Sequence, residues 1–199
     1  PNENTPLLGL AVYADGLIAC SGTNIYFTND GASWLQINKD SVAGGGDSHS
    51  TFNDRSVLAR TGQGQASITI FEGNEEFGLV LICDGTNKPF FFKMTGTGAL
   101  SGRTYFAGEV TVSGTTAPTV GAIHDRHFVV AGASTAKNTI FYSSTLDPTS
   151  FSGSGSGSIL LDDQVVGLKS FRTDLIIFCE NSLYKLININ DATNIAVVP

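Results

Sequence analysis

The stretch Gly78-Leu79-Val80-Leu81-Ile82-Cys83, followed by the small polar residues Asp84-Gly85-Thr86-Asn87-Lys88 and then by Phe90-Phe91-Phe92, shows the building unit of this chain. A continuous apolar run of strand length, a turn, and a second run centred on aromatics read as a β-hairpin covered on both faces. Phe90 and Phe92 share one face of the second strand and Phe91 takes the other, as a doubly covered strand requires. The same pattern occurs three more times. Gly16-Leu17-Ile18-Ala19-Cys20 is followed, across residues 21–24, by Ile25-Tyr26-Phe27. Arg126-His127-Phe128-Val129-Val130-Ala131 is followed, across 132–138, by Thr139-Ile140-Phe141-Tyr142. Asp174-Leu175-Ile176-Ile177-Phe178-Cys179 is followed, across 180–182, by Leu183-Tyr184-Lys185-Leu186.

The three cysteines, with Ala131 in the remaining repeat, occupy one place in each unit, at spacings of 63, 48 and 48 residues. The last two spacings suit a four-stranded propeller blade. The surplus in the first is assigned to a polar loop at 42–50, which includes Gly44-Gly45-Gly46-Asp47-Ser48-His49. The spacing therefore predicts an all-β, β-propeller-like array of about four blades, with a β-sandwich as the alternative. Ala66-Ser67-Ile68-Thr69-Ile70-Phe71 and the stretch 104–112 are expected as outer strands. Residues 1–199 read as a single domain. The Gly/Ser tract at 152–158 falls inside a repeat, so it is expected as an exposed loop instead of a boundary. The lack of an initiating Met fits a piece of a larger chain or a processed one.

Composition agrees with this reading. Gly, Ser, Thr and Asn fill more than a third of the 199 positions, the hydrophobic class makes up 41%, and charged residues make up 15%. The net charge is −7, and the 11 Lys and Arg are scattered, which disfavours general phosphate binding. No apolar run approaches the roughly 18 residues of a membrane span. An odd cysteine count without metal or disulfide spacing predicts buried free thiols.

Two motifs carry a resemblance to known families. Tyr26-Phe27-Thr28-Asn29-Asp30-Gly31-Ala32-Ser33-Trp34 resembles a degenerate Asp-box, the hairpin motif of sialidase-like propellers, with Asn29 where the Asp should stand. In that family the box is structural, so it speaks for fold. The second motif runs through Ile123 to Gly132, then Asn138 to Phe151, then Val165 to Leu186. Its Ile-Phe-Tyr-Ser strand, Asp-Pro-Thr-Ser-Phe turn and Ser-Leu-Tyr-Lys-Leu strand are similar to propeller segments of bacteriophage tail nozzle proteins (tail tubular protein B-like) and head-to-tail stabilisation proteins. That resemblance covers about the last 80 residues well and the earlier repeats more loosely. It implies a non-enzymatic virion structural protein of the phage tail, assembled in the host cytoplasm. Its implied partners are copies of itself in a ring, hexameric in that family, together with adaptor, portal or tail fibre proteins. DNA would pass through without specific binding during genome ejection, and no membrane is involved. A carbohydrate-binding or sialidase-like propeller is the alternative. A sialidase would carry an arginine trio in its central pocket, whereas this chain has five Arg in all: Arg55, Arg60, Arg103, Arg126 and Arg172.

No residue draws a catalytic, cofactor-binding or metal-ligating assignment. His124 and His127 are read as surface histidines at the start of a strand, pointing to opposite faces. His49 beside Asp47 reads as solvated. Asp162-Asp163 and Glu72 with Glu75-Glu76 read as exposed loop carboxylates. The tract 153–157 lacks a nucleophile-elbow Ser, and Gly44-Gly45-Gly46-Asp47 lacks the ending of a P-loop. Loops 42–50 and 152–158 are the expected contact surfaces.

Overall fold

The computed structural model describes residues 5–37, 60–62, 64–73, 76–96, 98–99, 103–115 and 117–199. Loop 42–50 with Asp47 and His49, and also Arg55 and Glu75, lies outside them. The described residues form sixteen strands and no helix. The first sheet comprises β1 (Leu7–Tyr13), β2 (Gly16–Ser21), β3 (Asn24–Thr28) and β4 (Leu35–Gln36). The second comprises β5 (Ser67–Phe71), β6 (Leu79–Cys83), β7 (Phe90–Thr95) and β8 (Thr104–Glu109). The third holds β9 (Val120–His124), β10 (His127–Ala131), β11 (Thr139–Tyr142) and β12 (Gly157–Leu160). The fourth holds β13 (Val165–Phe171), β14 (Asp174–Cys179), β15 (Leu183–Ile187) and β16 (Ala196–Val198).

In every sheet the spatial order of strands is their order along the chain, and all pairings between them are antiparallel. Four such meanders are the blades of a propeller-like fold. A Greek-key sandwich would place sequence-distant strands side by side within two sheets. The four hairpins read from the sequence are the second and third strands of the four sheets. Cys20, Cys83, Ala131 and Cys179 each stand at or next to the end of a second strand, and all four are buried. β5 falls where an outer strand was expected. The stretch 104–112 leaves strand conformation after Glu109, and Gly157 and Ser158 enter β12, so the loop ahead of it spans only 152–156.

The chain divides into two compact units, Pro1–Ile82 with Phe90–Glu109 and Cys83–Pro89 with Val110–Pro199. In the first, Tyr13, Ile18, Phe27, Val80, Phe92 and Met94 form the heart of one core. The Tyr13 ring meets Phe92 edge-on at 5.6 Å and Phe27 at 6.3 Å between centroids. Gly16 opens β2 and Gly78 immediately precedes β6. A Cβ there would lie 2.1 Å from the Thr28 carbonyl oxygen or 2.7 Å from that of Phe71, so only glycine admits the close approach. In the second unit, Val129, Ala131, Ile140, Val165, Leu175, Ile177 and Leu186 form the core.

β6 and β10 are buried at every position, as continuous apolar runs predict. β14 departs from that rule: Leu175, Ile177 and Cys179 are buried while Phe178 is 45% exposed. Its alternation marks a sheet with one covered face and one open face.

Candidate functional site

The third-to-fourth-strand connections of three sheets each contain an aspartate that folds back on the chain. In the first, Asp30 Oδ1 accepts the backbone N–H groups of Ala32 (2.9 Å) and Ser33 (2.8 Å) and the Thr28 hydroxyl (3.0 Å). These bonds, led by Ser33, hold its carboxyl below the usual carboxylate range. Gly31, at φ +73°, takes the left-handed position of the turn. Asp30 thus does the work that the Asp-box alignment gave to Asn29, and Trp34 is half-buried. In the third sheet Asp147 accepts from the N–H and hydroxyl of Thr149 at 3.1 and 2.8 Å. In the fourth, Asp191 accepts from the N–H groups of Thr193 and Asn194 and the Asn194 amide, which lower its pKa. The Asp-box-like turn and the Asp-Pro-Thr-Ser turn, two unrelated motifs in sequence, both lie in a third-to-fourth-strand connection.

The first hairpin turns carry a second repeated device. Asp15, in the turn between β1 and β2, forks onto Arg103 with Oδ1–Nη1 at 2.6 Å and Oδ2–Nη2 at 2.5 Å. Arg103 is 1% exposed and also donates to the Gly98 carbonyl from Nε (3.1 Å) and Nη2 (2.7 Å). Its guanidinium lowers the Asp15 pKa. Asp125, in the turn between β9 and β10, accepts from Asn190 Nδ2 through its carboxylate and its backbone carbonyl. Each aspartate is held by a residue from the third-to-fourth-strand connection of the following sheet.

The histidine reading is corrected. His124 and His127 are 2% and 0% exposed, not on the surface. They are cross-strand partners flanking the two-residue turn Asp125-Arg126, both at positive φ, and therefore share a face. His124 Nδ1 lies 2.9 Å from the Ser170 hydroxyl, and burial pushes its pKa down. His127 Nδ1 lies 2.6 Å from the Ser143 carbonyl and its Nε2 2.9 Å from Asn190 Oδ1, so both ring nitrogens are engaged. Among the described residues no three His, Cys, Asp or Glu side chains gather as a metal-ligand set.

Asp163 is a tether: it accepts from the Ser182 hydroxyl (2.7 Å), the Asn181 N–H (2.8 Å) and the Gln164 N–H (2.8 Å), and its pKa is lowered, chiefly by Ser182. Glu76 caps the Gly96 N–H at 2.9 Å. Arg60, 2% exposed, donates to the carbonyls of Gly22 and Gly64, while Arg126 and Arg172 sit in exposed turns. Cys20, Cys83 and Cys179 are buried free thiols, and burial raises the pKa of the last two.

Large apolar side chains remain uncovered on the first and fourth sheets. On β1, Leu10 is 52% and Val12 70% exposed. On the fourth sheet Phe178 and Leu183, which are register partners, are 45% and 54% exposed. No helix among the described residues is long and apolar enough to cross a membrane.

No family model and no curated protein matches this chain. Among solved structures, it is similar to that of BBS1N, a β-propeller, determined in complex with ARL6DN and soaked with mercury. The match has a TM-score of 0.51 and 11% identity over 91% of this chain. The chain spans about half, 48%, of the length of that relative. At such identity the likeness concerns fold alone: the protein is all-β and propeller-like, with four described blades.

Proposed function

We propose that the chain is a non-enzymatic structural protein of a bacteriophage tail, of the nozzle or head-to-tail connector kind, that works by assembling into a ring around the path of the genome. The observation carrying this reading is the division of labour among side chains. Asp15, Asp30, Asp163 and Asp191 are occupied in holding turns and neighbouring strands, while Leu10, Val12, Phe178 and Leu183 stand uncovered on sheet faces. Exposed apolar faces of this kind suit contact with other protein surfaces. The hairpins between β10 and β15, built from the segments that resemble nozzle proteins, add support. The net charge of −7 suits a conduit along which DNA slides without adhering. The ring would sit in the virion between portal or adaptor and the distal tail, taking shape in the host cytoplasm.

Light scattering coupled to size exclusion tests the reading. A discrete closed oligomer, six-fold in the simplest case, is the expected result. A monomer at every concentration that binds glycans on an array would overturn it in favour of a carbohydrate-binding propeller.

A further inference from the structure

The His127 ring is buried, and the groups at its two nitrogens fix how many protons it carries. Nδ1 lies 2.6 Å from the Ser143 carbonyl, which only accepts, so this contact asks for a proton on Nδ1. Nε2 lies 2.9 Å from Asn190 Oδ1 and 3.2 Å from the Thr145 hydroxyl. The Asn190 amide does not turn over. Its Nδ2 donates to the carboxylate and the backbone carbonyl of Asp125, and a reversed amide would set oxygen against both of those acceptors. Asn190 Oδ1 therefore faces the ring, and the Thr145 hydroxyl donates to the same oxygen at 3.1 Å.

A neutral imidazole owns one N–H in either tautomer, so its bare nitrogen would meet the oxygen of Ser143 or of Asn190. In the interior such a contact forfeits a hydrogen bond and sets lone pair against lone pair. Turning the Thr145 hydroxyl toward a bare Nε2 does not relieve this, because the nearer Asn190 oxygen would still face a lone pair. A doubly protonated ring satisfies every contact. Nδ1–H goes to Ser143, Nε2–H to Asn190, and the Asn190 amide passes its own N–H to Asp125, so that cation, amide and anion alternate as donor and acceptor.

The surrounding charges suit one cation at this place. From β9, His124 is the neutral member of the pair: burial, and after it the charge of His127, hold it below its ordinary value against the pull of Asp125 and Asp174. From β11, the Tyr142 ring meets His127 edge-on at 5.9 Å. Asp147 and Asp191, in the two third-to-fourth-strand connections, are turned back on Thr149 and on Thr193 and Asn194. Asp174 of β14 pairs with Lys185 of β15 at 3.5 Å, and Arg126 in the turn is exposed. Asp125, by contrast, is tied to the ring through Asn190.

We propose that His127 is a proton-dependent latch: held as an imidazolium in the folded chain, it locks the 188–195 connection of the fourth sheet onto the β9–β10 hairpin of the third, and loss of its second proton releases that connection. The lock is complete below about 6.5, the ordinary imidazole value, and is given up on the alkaline side as the second proton leaves. His124 acts on the other side of that value, where its contribution is lost on acidification. The latch belongs to a single copy of the chain and stands apart from how copies assemble.

Nitrogen-15 NMR of the histidine-labelled full chain at about pH 7.5, where a free imidazole is mostly neutral, reads the ring directly. The His127 signals are assigned through their contact with the Tyr142 ring, so no variant is needed. Two protonated nitrogens on His127 beside a neutral His124 are the expected result. A bare nitrogen on His127 at that pH overturns the proposal. Raising the pH until the second proton leaves should then lower the hydrogen-exchange protection of the connection by more than about tenfold, after correction for the ordinary effect of pH on exchange. The amides of Asn194 and Ile195, which donate to the Asp191 carbonyl, report it. Protection that stays constant while the ring loses its proton overturns the latch.

Discussion

The carboxylate of Asp15 and the guanidinium of Arg103, 88 residues apart in sequence, meet in a two-pronged ion pair whose cationic half is almost wholly buried. Asp125 and Asn190, 65 residues apart, repeat the arrangement with a neutral donor. In both cases the tip of the first hairpin of one sheet is clasped by a loop of the next. The clasp joins sheets that pack through apolar side chains, which alone fix distance better than orientation. A two-pronged hydrogen bond fixes orientation as well.

Removing the carboxylate would leave the buried Arg103 guanidinium to the Gly98 carbonyl, the Met94 sulfur and the charge of Glu76. In a double-mutant cycle of Asp15→Asn and Arg103→Met followed by urea unfolding, a coupling of about 1–3 kcal/mol is expected, reduced from a fully buried pair because Asp15 is half-exposed. Strict additivity of the two changes would show that the pair contributes nothing.

The Tyr13 hydroxyl donates to the Gly78 carbonyl and accepts the Met94 N–H, both at 3.0 Å. Tyr13→Phe keeps the ring against Phe27 and Phe92 but strands a buried donor and acceptor. A loss of about 1–3 kcal/mol is expected by chemical denaturation. A change within measurement error would mean that the hydroxyl is dispensable.

His124 has a folded-state pKa below its ordinary 6.5 because burial outweighs the opposing pull of Asp125 and Asp174. The unfolded chain then binds the proton more readily. The stabilising contribution is complete above 6.5 and is lost as pH falls from there toward the folded value. Melts between about pH 7 and 5 should show stability dropping on acidification, with a flatter profile in His124→Gln. An identical slope in the variant would assign the effect elsewhere.

Asp15, Asp30, Asp163 and Asp191 have the opposite sign of charge and the same direction of shift. Their folded pKa values lie below 3.8, so they stabilise above that value and cease to do so as pH falls through the folded values. Asp30→Asn should therefore lower the melting temperature at neutral pH and make little difference in strong acid. An equal effect at both ends of the range would contradict the turn-capping role.

Cys20, Cys83 and Cys179 are buried, and Cys83 and Cys179 are held protonated by their surroundings. A thiol-specific chromogenic reagent should react slowly with the folded chain at neutral pH and with all three after denaturation. Prompt reaction of the native protein would place a thiol at the surface.

Much of the fold is legible in the sequence because strands covered on both faces lose the usual alternation. The runs at 79–83 and 127–131 stand out for that reason, and the repeated cysteine position tracks the ends of second strands. β4 has only two residues and carries almost no pattern. The tetrapeptide His124-Asp125-Arg126-His127 misleads as part of a strand, because neither central residue is glycine although both take positive φ. Reading it as a turn puts both histidines on one face and buries them. The clasps of Asp15 and Asp125 have no local signature at all, since each depends on a partner supplied by another sheet.

Direct imaging of the purified chain by electron microscopy tests the assembly claim at its centre. Closed rings of identical copies around an open channel are the expected picture. Single particles of one chain's mass at every concentration, with no ring in any preparation, would contradict it.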